Sequence, residues 1–402
     1  MIRAHAIALD PNDKQATHLA KAAGVARFAY NWALTEWGRQ YRAHTLDASL
    51  PKPSQAALRR QLNSVKRVEF PWMSEVTKCA PQMAIIHLGD AFQNFFTRKS
   101  RYPTYRKKGV DDRFTLTNDQ FAVSGKRVRI PKLGWVRMRE ELRFEGKILS
   151  STVSRRAGRW FISITVDVAS GDVSAAVVPS PENQGVVGVD LGVATLAVLS
   201  TGERVVGPKA HTALLARQRR LARSLARKRR GSKNRSKAKG RLAKLHARIA
   251  NVRLDATHKL TSRLVNEFGT VVIEDLNVSG MMKNRRLARS ISDTSFREVR
   301  RQLEYKCAER GKHLVIADRW FASSKTCSVC GQRRAGLMLS QRSWVCACCG
   351  SLHDRDLNAA MNLAAYAASS AVSACGGEGS GVTIMADAKP APAKQEVNSV
   401  LT

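Results

Sequence analysis

Long apolar runs are missing from this 402-residue chain: no uninterrupted stretch approaches the roughly 20 residues that a membrane-spanning helix needs. Its start, Met1-Ile2-Arg3-Ala4-His5-Ala6, has nothing like the apolar region of a secretory signal. A soluble, cytoplasmic protein is expected, with no membrane partner. Acidic residues are also scarce. Only 32 Asp and Glu stand against 68 Lys and Arg, giving a net charge of +36 and a pI near 10.7, above the pI of about 9 that marks nucleic-acid-binding domains. The expected partner is therefore a polyanion rather than a small-molecule substrate. Cysteine is sparse and uneven. Five of the eight lie between Cys327 and Cys349, while Cys79, Cys307 and Cys375 stand apart; in a cytosolic chain such clustering points to metal rather than to disulfides.

The acid shortage is most acute from residue 204 to 254, where 18 Lys and Arg occur without one Asp or Glu. Helical spacing persists there in Leu214, Leu221 and Leu225, then Leu242, Leu245, Ile249 and Val252, around the turn Gly231-Ser-Lys-Asn234. This predicts two basic helices in a hairpin, with an apolar face packed and a charged face free for phosphates. A solvated face normally mixes signs, and this one does not. Arg227, Lys228, Arg229 and Arg230 are its densest cations. A second basic segment, Arg98 to Lys108, carries Tyr102 and Tyr105 between its charges. Cations there could pair with phosphates and the rings could stack on bases, although a solvated loop has the same composition.

Elsewhere the periodicities alternate. Residues 1 to 10 predict a strand, and Asn12 or Asp13 caps a helix whose apolar positions run from Leu19 to Trp37. Another helix is expected after Pro81, with Ile85, Leu88, Phe92 and Phe95 on one side. Between Phe114 and Val168, strands at 127–130, 135–138 and 160–167 are separated by glycines, as in a small antiparallel barrel or sheet. The first strand joins it, with the helices inserted between. A Val/Pro/Ser linker follows at 177–182, and the Ala/Ser/Gly/Pro-rich residues 369–402 read as a disordered tail.

Two short apolar strands end in acids: Val186-Val-Gly-Val-Asp190, continued by a turn and Thr195-Leu-Ala-Val-Leu199, and Thr270-Val-Val-Ile-Glu274-Asp275. The first is the opening hairpin of an RNase H-like sheet in outline, and Gly192 leaves the backbone beside Asp190 open to close approach. A third acid, Asp354 or Asp356, opens the segment His353-Asp-Arg-Asp-Leu-Asn-Ala-Ala-Met-Asn362, whose Ala359 and Ala360 would let a helix lie against the sheet. Phosphodiester hydrolysis needs an activated water and charge neutralisation at the leaving oxygen. Carboxylate oxygens are the natural ligands of the Mg²⁺ or Mn²⁺ that serve both. Each acid alone could instead be a helix cap or an arginine partner.

The cysteine spacing is more specific. Cys327-x₂-Cys330-Gly331 and Cys346-x₂-Cys349-Gly350, with 15 residues between the pairs, fit one structural Zn²⁺ held by four thiolates. Cys348 lies inside the second pair, and Cys346 is preferred because only it keeps the x₂ spacing to Cys349.

In this order, Gly188-Val-Asp190-Leu-Gly192, a long basic hairpin, Val272-Ile-Glu274-Asp-Leu-Asn277, a Cys₄ ribbon and Asp354-Arg-Asp356-x-Asn358-Ala-Ala, the chain resembles the TnpB family, insertion-sequence-encoded relatives of the type V CRISPR effectors. Arg27-Phe-Ala-Tyr-Asn31, Ile130-Pro-Lys-Leu-Gly-Trp135, Met282-Lys-Asn-Arg-Arg-Leu287, Ile291-Ser-Asp293 and Ser323-Ser324 extend the likeness, which covers roughly residues 1 to 365. The resemblance implies a RuvC-type catalytic triad at Asp190, Glu274 and Asp356, the last preferred because it directly precedes x-Asn-Ala. It also implies a guide RNA encoded beside the gene, a double-stranded DNA target, a short target-adjacent motif and double-strand cutting.

The expected fold is α+β and multi-domain. An oligonucleotide-binding-like barrel (wedge) takes 1–10 and 112–178, with a helical recognition block at 11–111. An RNase H-like nuclease domain takes 183–320 and 352–368, includes the basic hairpin 204–267, and carries an inserted zinc ribbon at 321–351. Two other readings share these features: an inactive RNA-guided or zinc-ribbon DNA-binding protein or repressor, and a transposase, since RNase H-like folds host strand transfer too.

Overall fold

The structure, a computed structural model, describes residues 1–168, 185–338 and 340–375, with side chains described to 367. The 177–182 linker therefore lies outside the described residues. Two compact units emerge. One comprises the described residues of Met1–Asn183 with Gly207–Glu267 and Asn277–Lys312, and the other those of Gln184–Val206, Phe268–Leu276 and His313–Thr402. This division differs from the domain ranges read from sequence, because it groups the helical pair with the N-terminal residues instead of with the nuclease segments. Among the described residues no helix is long and apolar enough to cross a membrane.

In the first unit β1 (Ile2–Asp10) leads into α1 (Asp13–Leu46), which starts where a capping box closes it. Asn12 Oδ1 accepts from Gln15 N at 2.9 Å, and Gln15 Oε1 accepts from Asn12 N at 3.1 Å. Two amides that the helix leaves unpaired are thus satisfied. The apolar positions from Leu19 to Trp37 are buried, and Trp37 stacks on Phe92 at 4.2 Å between ring centres. Phe92 belongs to the third helix; α2 (Gln55–Glu69) and α3 (Cys79–Phe96) complete the insertion. The helix expected after Pro81 begins two residues earlier, because a first-turn proline forfeits no helical hydrogen bond.

Strands β2 (Arg113–Thr117), β3 (Ala122–Ser124), β4 (Arg127–Ile130), β5 (Gly134–Met138), β6 (Lys147–Arg156) and β7 (Arg159–Asp167) join β1 in a seven-stranded antiparallel sheet of order β2-β6-β7-β1-β5-β4-β3. β1 pairs with β7 along Ile2–Ala8 and with β5 at Leu9 and Asp10. Strand β7 alternates buried and outward residues, so Trp160, Ile162, Ile164 and Val166 line one face, and they share a core with the inserted helices.

The acid-free segment forms α4 (Ala210–Ala226) and α5 (Lys233–Glu267). Leu245 and Ile249 are buried with Ala210, while Leu214 and Leu221 pack against them. Val252, expected on that face, is 37% exposed and lies off the packed stripe. Then come α6 (Val278–Met281), α7 (Ala288–Thr294) and α8 (Phe296–Glu309). Asp293 binds the start of α4, accepting from His211 N at 2.8 Å and Thr212 N at 3.0 Å, and pairs with Arg253 of α5 at 2.7 Å.

The second unit is built on β8 (Val186–Asp190), β9 (Ala197–Leu199), β10 (Arg204–Val205), β11 (Thr270–Glu274) and β12 (His313–Ala317), in the order β10-β9-β8-β11-β12. β8, β11 and β12 are parallel, and β9 runs antiparallel to β8. Arg204 and Val205 thus form a strand of this sheet rather than the start of the basic hairpin. A small hairpin of β13 (Ser343–Val345) and β14 (Leu352–Asp354) precedes α9 (Arg355–Cys375), which packs across β8, β11 and β9. Because α9 continues to Cys375, the first residues of the expected 369–402 tail are helical; the rest lies outside the described residues.

Candidate active site and metal centre

Parallel pairing sets the first two acids side by side. Val189 of β8 is in register with Ile273 of β11, so the next residues, Asp190 and Glu274, sit one step beyond on neighbouring strands, roughly 4.8 Å apart across the ladder. α9 brings the third. Its close approach depends on small residues: Ala359 and Ala360 are buried, and a Cβ on Gly188 would overlap the backbone of Ala360. Asp356, on the first turn of α9, then acts on Asp190. Burial first, then the charges of Glu274 and Asp356, push the Asp190 carboxyl up to about 7. That shared charge is the electrostatic signature of three convergent carboxylates.

The neighbouring acids are occupied differently. Asp354 accepts from Leu357 N at 3.0 Å, capping α9, and pairs with Arg204 at 2.8 Å. Asp275 pairs with Arg319 at 2.5 Å. Asp356 lies 3.5 Å from Arg342, and Glu274 accepts a hydrogen bond from the hydroxyl of Ser323. Gly192 has a different use from the one expected: its N–H donates to Leu196 O at 3.2 Å, and a Cβ would crowd Thr195 O, so it serves the turn between β8 and β9.

Beside this site, the sulfurs of Cys327, Cys330, Cys346 and Cys349 all lie within 4.8 Å of one another. The Cys327–Cys349 and Cys330–Cys346 separations are 3.6 Å, close to the roughly 3.8 Å that tetrahedral thiolates at about 2.3 Å from zinc would have. The two knuckles repeat one backbone design. Gly331 N donates to Cys327 O and Gly350 N to Cys346 O, each at 2.9 Å, and both glycines have positive φ, +76° and +74°. Cys348 is exposed and outside the cluster. Among the described residues this is the one group of three or more His, Cys, Asp and Glu side chains drawn so tightly together.

Of the expected nucleic-acid contacts, Arg227, Arg229 and Arg230 are exposed at the end of α4 and Lys228 is half-buried. Tyr102 turns one edge onto Phe92 and Phe95, with centres 5.5 and 5.3 Å away, and remains 51% exposed. Tyr105 bonds Thr35 Oγ1 at 3.1 Å. Sequence reading gave no role to Arg342 or Asn362, and noted Ser323 only as part of a likeness. The one signal available was the Asn358/Asn362 pair, a helical turn apart on an alanine-rich helix, which suits a shared target.

Comparison with known proteins gives matches along the chain. The family model OrfB_IS605, described as a probable transposase, matches residues 162–285; a Cas12f1-like TNB domain matches 296–363; and a helix-turn-helix domain matches 1–45, where this structure has a strand and one long helix. A Streptomyces pristinaespiralis protein named "Putative RNA-guided DNA endonuclease" is 41% identical over 375 residues, covering 91% of this chain and 89% of its own length. A protein of Escherichia coli K12 with the same name plus InsQ is 32% identical over 391 residues, covering 93% and 94%. Among solved structures, a Cas12f1 in complex with guide RNA and target DNA superposes with a TM-score of 0.51 at 16% identity, covering 88% of this chain and 83% of that one, which shows a shared fold. Aligned with such relatives over nine-tenths of its length, the chain belongs to the insertion-sequence-encoded TnpB family.

Proposed function

We propose that the chain is an RNA-guided, divalent-cation-dependent DNA endonuclease encoded by a transposable element, with Asp190, Glu274 and Asp356 as its catalytic carboxylates. One observation carries the catalytic part: the carboxyl of Asp190 is raised to about 7 in part by the charges of Glu274 and Asp356. Three acids held against their own repulsion in a chain of net charge +36 are a hard-oxygen donor set that cations would relieve, and they fit Mg²⁺ or Mn²⁺. When bound, such cations supply water activation and charge neutralisation at the leaving oxygen. The protein's part is to fix the donors: β8 and β11 fix two by register, and α9 fixes the third by its contact with Gly188. The antiparallel β8–β9 pair beside parallel strands supports an RNase H-like core.

Cys327, Cys330, Cys346 and Cys349 are the ligands of one structural Zn²⁺, a site closed to catalysis because all four positions are protein thiolates. The seven-stranded sheet and the helices inserted after β1 are proposed to serve as the wedge and recognition block and to read the target-adjacent motif. The face bearing Arg227, Lys228, Arg229 and Arg230 is proposed to contact phosphates, and Tyr102 and Tyr105 to stack on bases. The partners are a guide RNA encoded beside the gene and double-stranded DNA. The test is to purify the protein with its flanking locus, sequence the bound RNA and offer matching duplex DNA. Cleavage with Mg²⁺ that stops with chelator supports the reading; target binding with no cleavage in Mg²⁺ or Mn²⁺ would favour an inactive DNA-binding protein.

A further inference from the structure

The side chain that holds Glu274 is suspended from the same two residues that hold the first cysteine knuckle. Ser323 donates its hydroxyl to Glu274 Oε1. Its carbonyl accepts from Asn362 Nδ2 at 2.7 Å and Asn358 Nδ2 at 3.4 Å. Both amides also donate to Thr326 O, each at 2.7 Å, immediately before Cys327. Immediately after Cys327, Ser328 N donates to Asn358 Oδ1 at 2.9 Å. Ser323, Asn358 and Asn362 are all buried, at 4%, 1% and 7% exposure.

The consequence follows from the chemistry of the groups. A buried primary amide is costly unless its donors and acceptor are used, and here the donors of both asparagines converge on two carbonyls of one short segment. That segment is closed locally as well, since Thr326 N and Oγ1 both bond Ala322 O, at 3.1 and 2.9 Å. Ser323 therefore has little freedom to move relative to Cys327, or relative to α9, which carries Asp356. A carboxylate can only accept hydrogen bonds, so the Ser323 hydroxyl sets the orientation of the Glu274 head through one oxygen. A satisfied buried network of this kind fixes one arrangement.

We propose that Ser323 is a positioning residue for Glu274, and that the cysteine ribbon sets its place through the Asn358–Asn362 pair. The inference rests on the reading of Glu274 as a cation ligand. Outer partners of metal-binding side chains typically change affinity or activity by about 10- to 100-fold when removed.

The test uses the full chain with its bound RNA, with Mn²⁺ as the probe. Mn²⁺ affinity is measured by electron paramagnetic resonance, alongside zinc content, melting temperature and cleavage kinetics. Ser323→Ala is expected to weaken Mn²⁺ binding and lower kcat, each by about tenfold, with KM for DNA unchanged and one zinc per chain retained. Ser323→Thr, which restores the hydroxyl, is expected to recover both. Asn362→Asp, which removes the amide donors, is expected to follow Ser323→Ala. Wild-type Mn²⁺ affinity and kcat in Ser323→Ala would overturn the proposal, as would loss of zinc in that variant, which would make Ser323 a structural element of the ribbon. Wild-type Mn²⁺ affinity in Glu274→Gln would instead remove the cation-site reading, and this proposal with it.

Discussion

Gly188 of β8 lies so close to Ala360 of α9 that a methyl group at position 188 would overlap the Ala360 carbonyl oxygen. Backbone rather than a flexible side chain stands in the way, so the clash can be relieved only by moving the helix. Gly188→Ala is expected to destabilise the protein by about 1–3 kcal/mol, the usual cost of overpacking, and to reduce cleavage further by displacing Asp356 from Asp190. Thermal unfolding and cleavage rate at a permissive temperature separate the two effects. An unchanged melting temperature would mean that the strand and the helix do not pack this way.

The Asp190 carboxyl titrates near 7 in the folded chain because it is buried and because Glu274 and Asp356 repel its charge. A folded pKa above the ordinary 3.8 means that the native state holds this proton more tightly. Its contribution to stability is therefore full below about pH 4 and is lost as pH rises towards 7, by at most roughly 1.4 kcal/mol per unit. Buried His5 and half-buried His18, His87 and His258, whose pKa values are lowered, act in the opposite sense over this range. The readout is thus a difference: without divalent cations, Asp190→Asn should gain stability relative to wild type between pH 5 and pH 7. A constant difference across that range would contradict the assignment.

Zinc should copurify at about one ion per chain. Serine at Cys327, Cys330, Cys346 or Cys349 should lose it and lower stability and solubility, since a small ribbon draws much of its folding free energy from the metal. Cys348→Ser should keep it, because that side chain is exposed and outside the cluster. Elemental analysis of the five variants decides, and loss of zinc in Cys348→Ser with retention in Cys346→Ser would reverse the assignment.

The hairpin cations are tested by salt. Among the described residues, the side chains of Arg227, Lys228, Arg229 and Arg230 form no ion pair, whereas Leu245 and Ile249 do the packing. Replacing the four with glutamine should weaken RNA binding and reduce the slope of log affinity against log salt by about 0.7 to 0.9 for each phosphate left without its cation, with little change in melting temperature. An unchanged slope with a lowered melting temperature would make the face structural.

What could be read beforehand follows a physical divide. Strands β8 and β11 were legible because each is a short apolar run ending in an acid, and Asn12 was legible as a cap because its signal lies within three residues. The cysteine spacing was legible for the same reason: x₂ and a following glycine are local demands of one turn. Val252 was not, since helical spacing gives a face but not where the neighbouring surface ends. Gly192 was assigned to close approach when its turn with Leu196 needed it. Least legible was Ser323 with Asn358 and Asn362, because residues 35 to 39 apart in sequence meet there only after the ribbon and α9 have both folded.

The most direct measurement of the central claim is the rate of guide-directed cleavage in Mg²⁺ for Asp190→Ala, Glu274→Ala, Asp356→Ala and Asp354→Ala, with RNA and target binding measured in parallel. The first three should each fall by at least about 100-fold, as when a preorganised charge-stabilising group is removed, while binding stays near wild type and Asp354→Ala loses far less. Cleavage at the wild-type rate by any of the first three would remove that residue from the site and contradict the account.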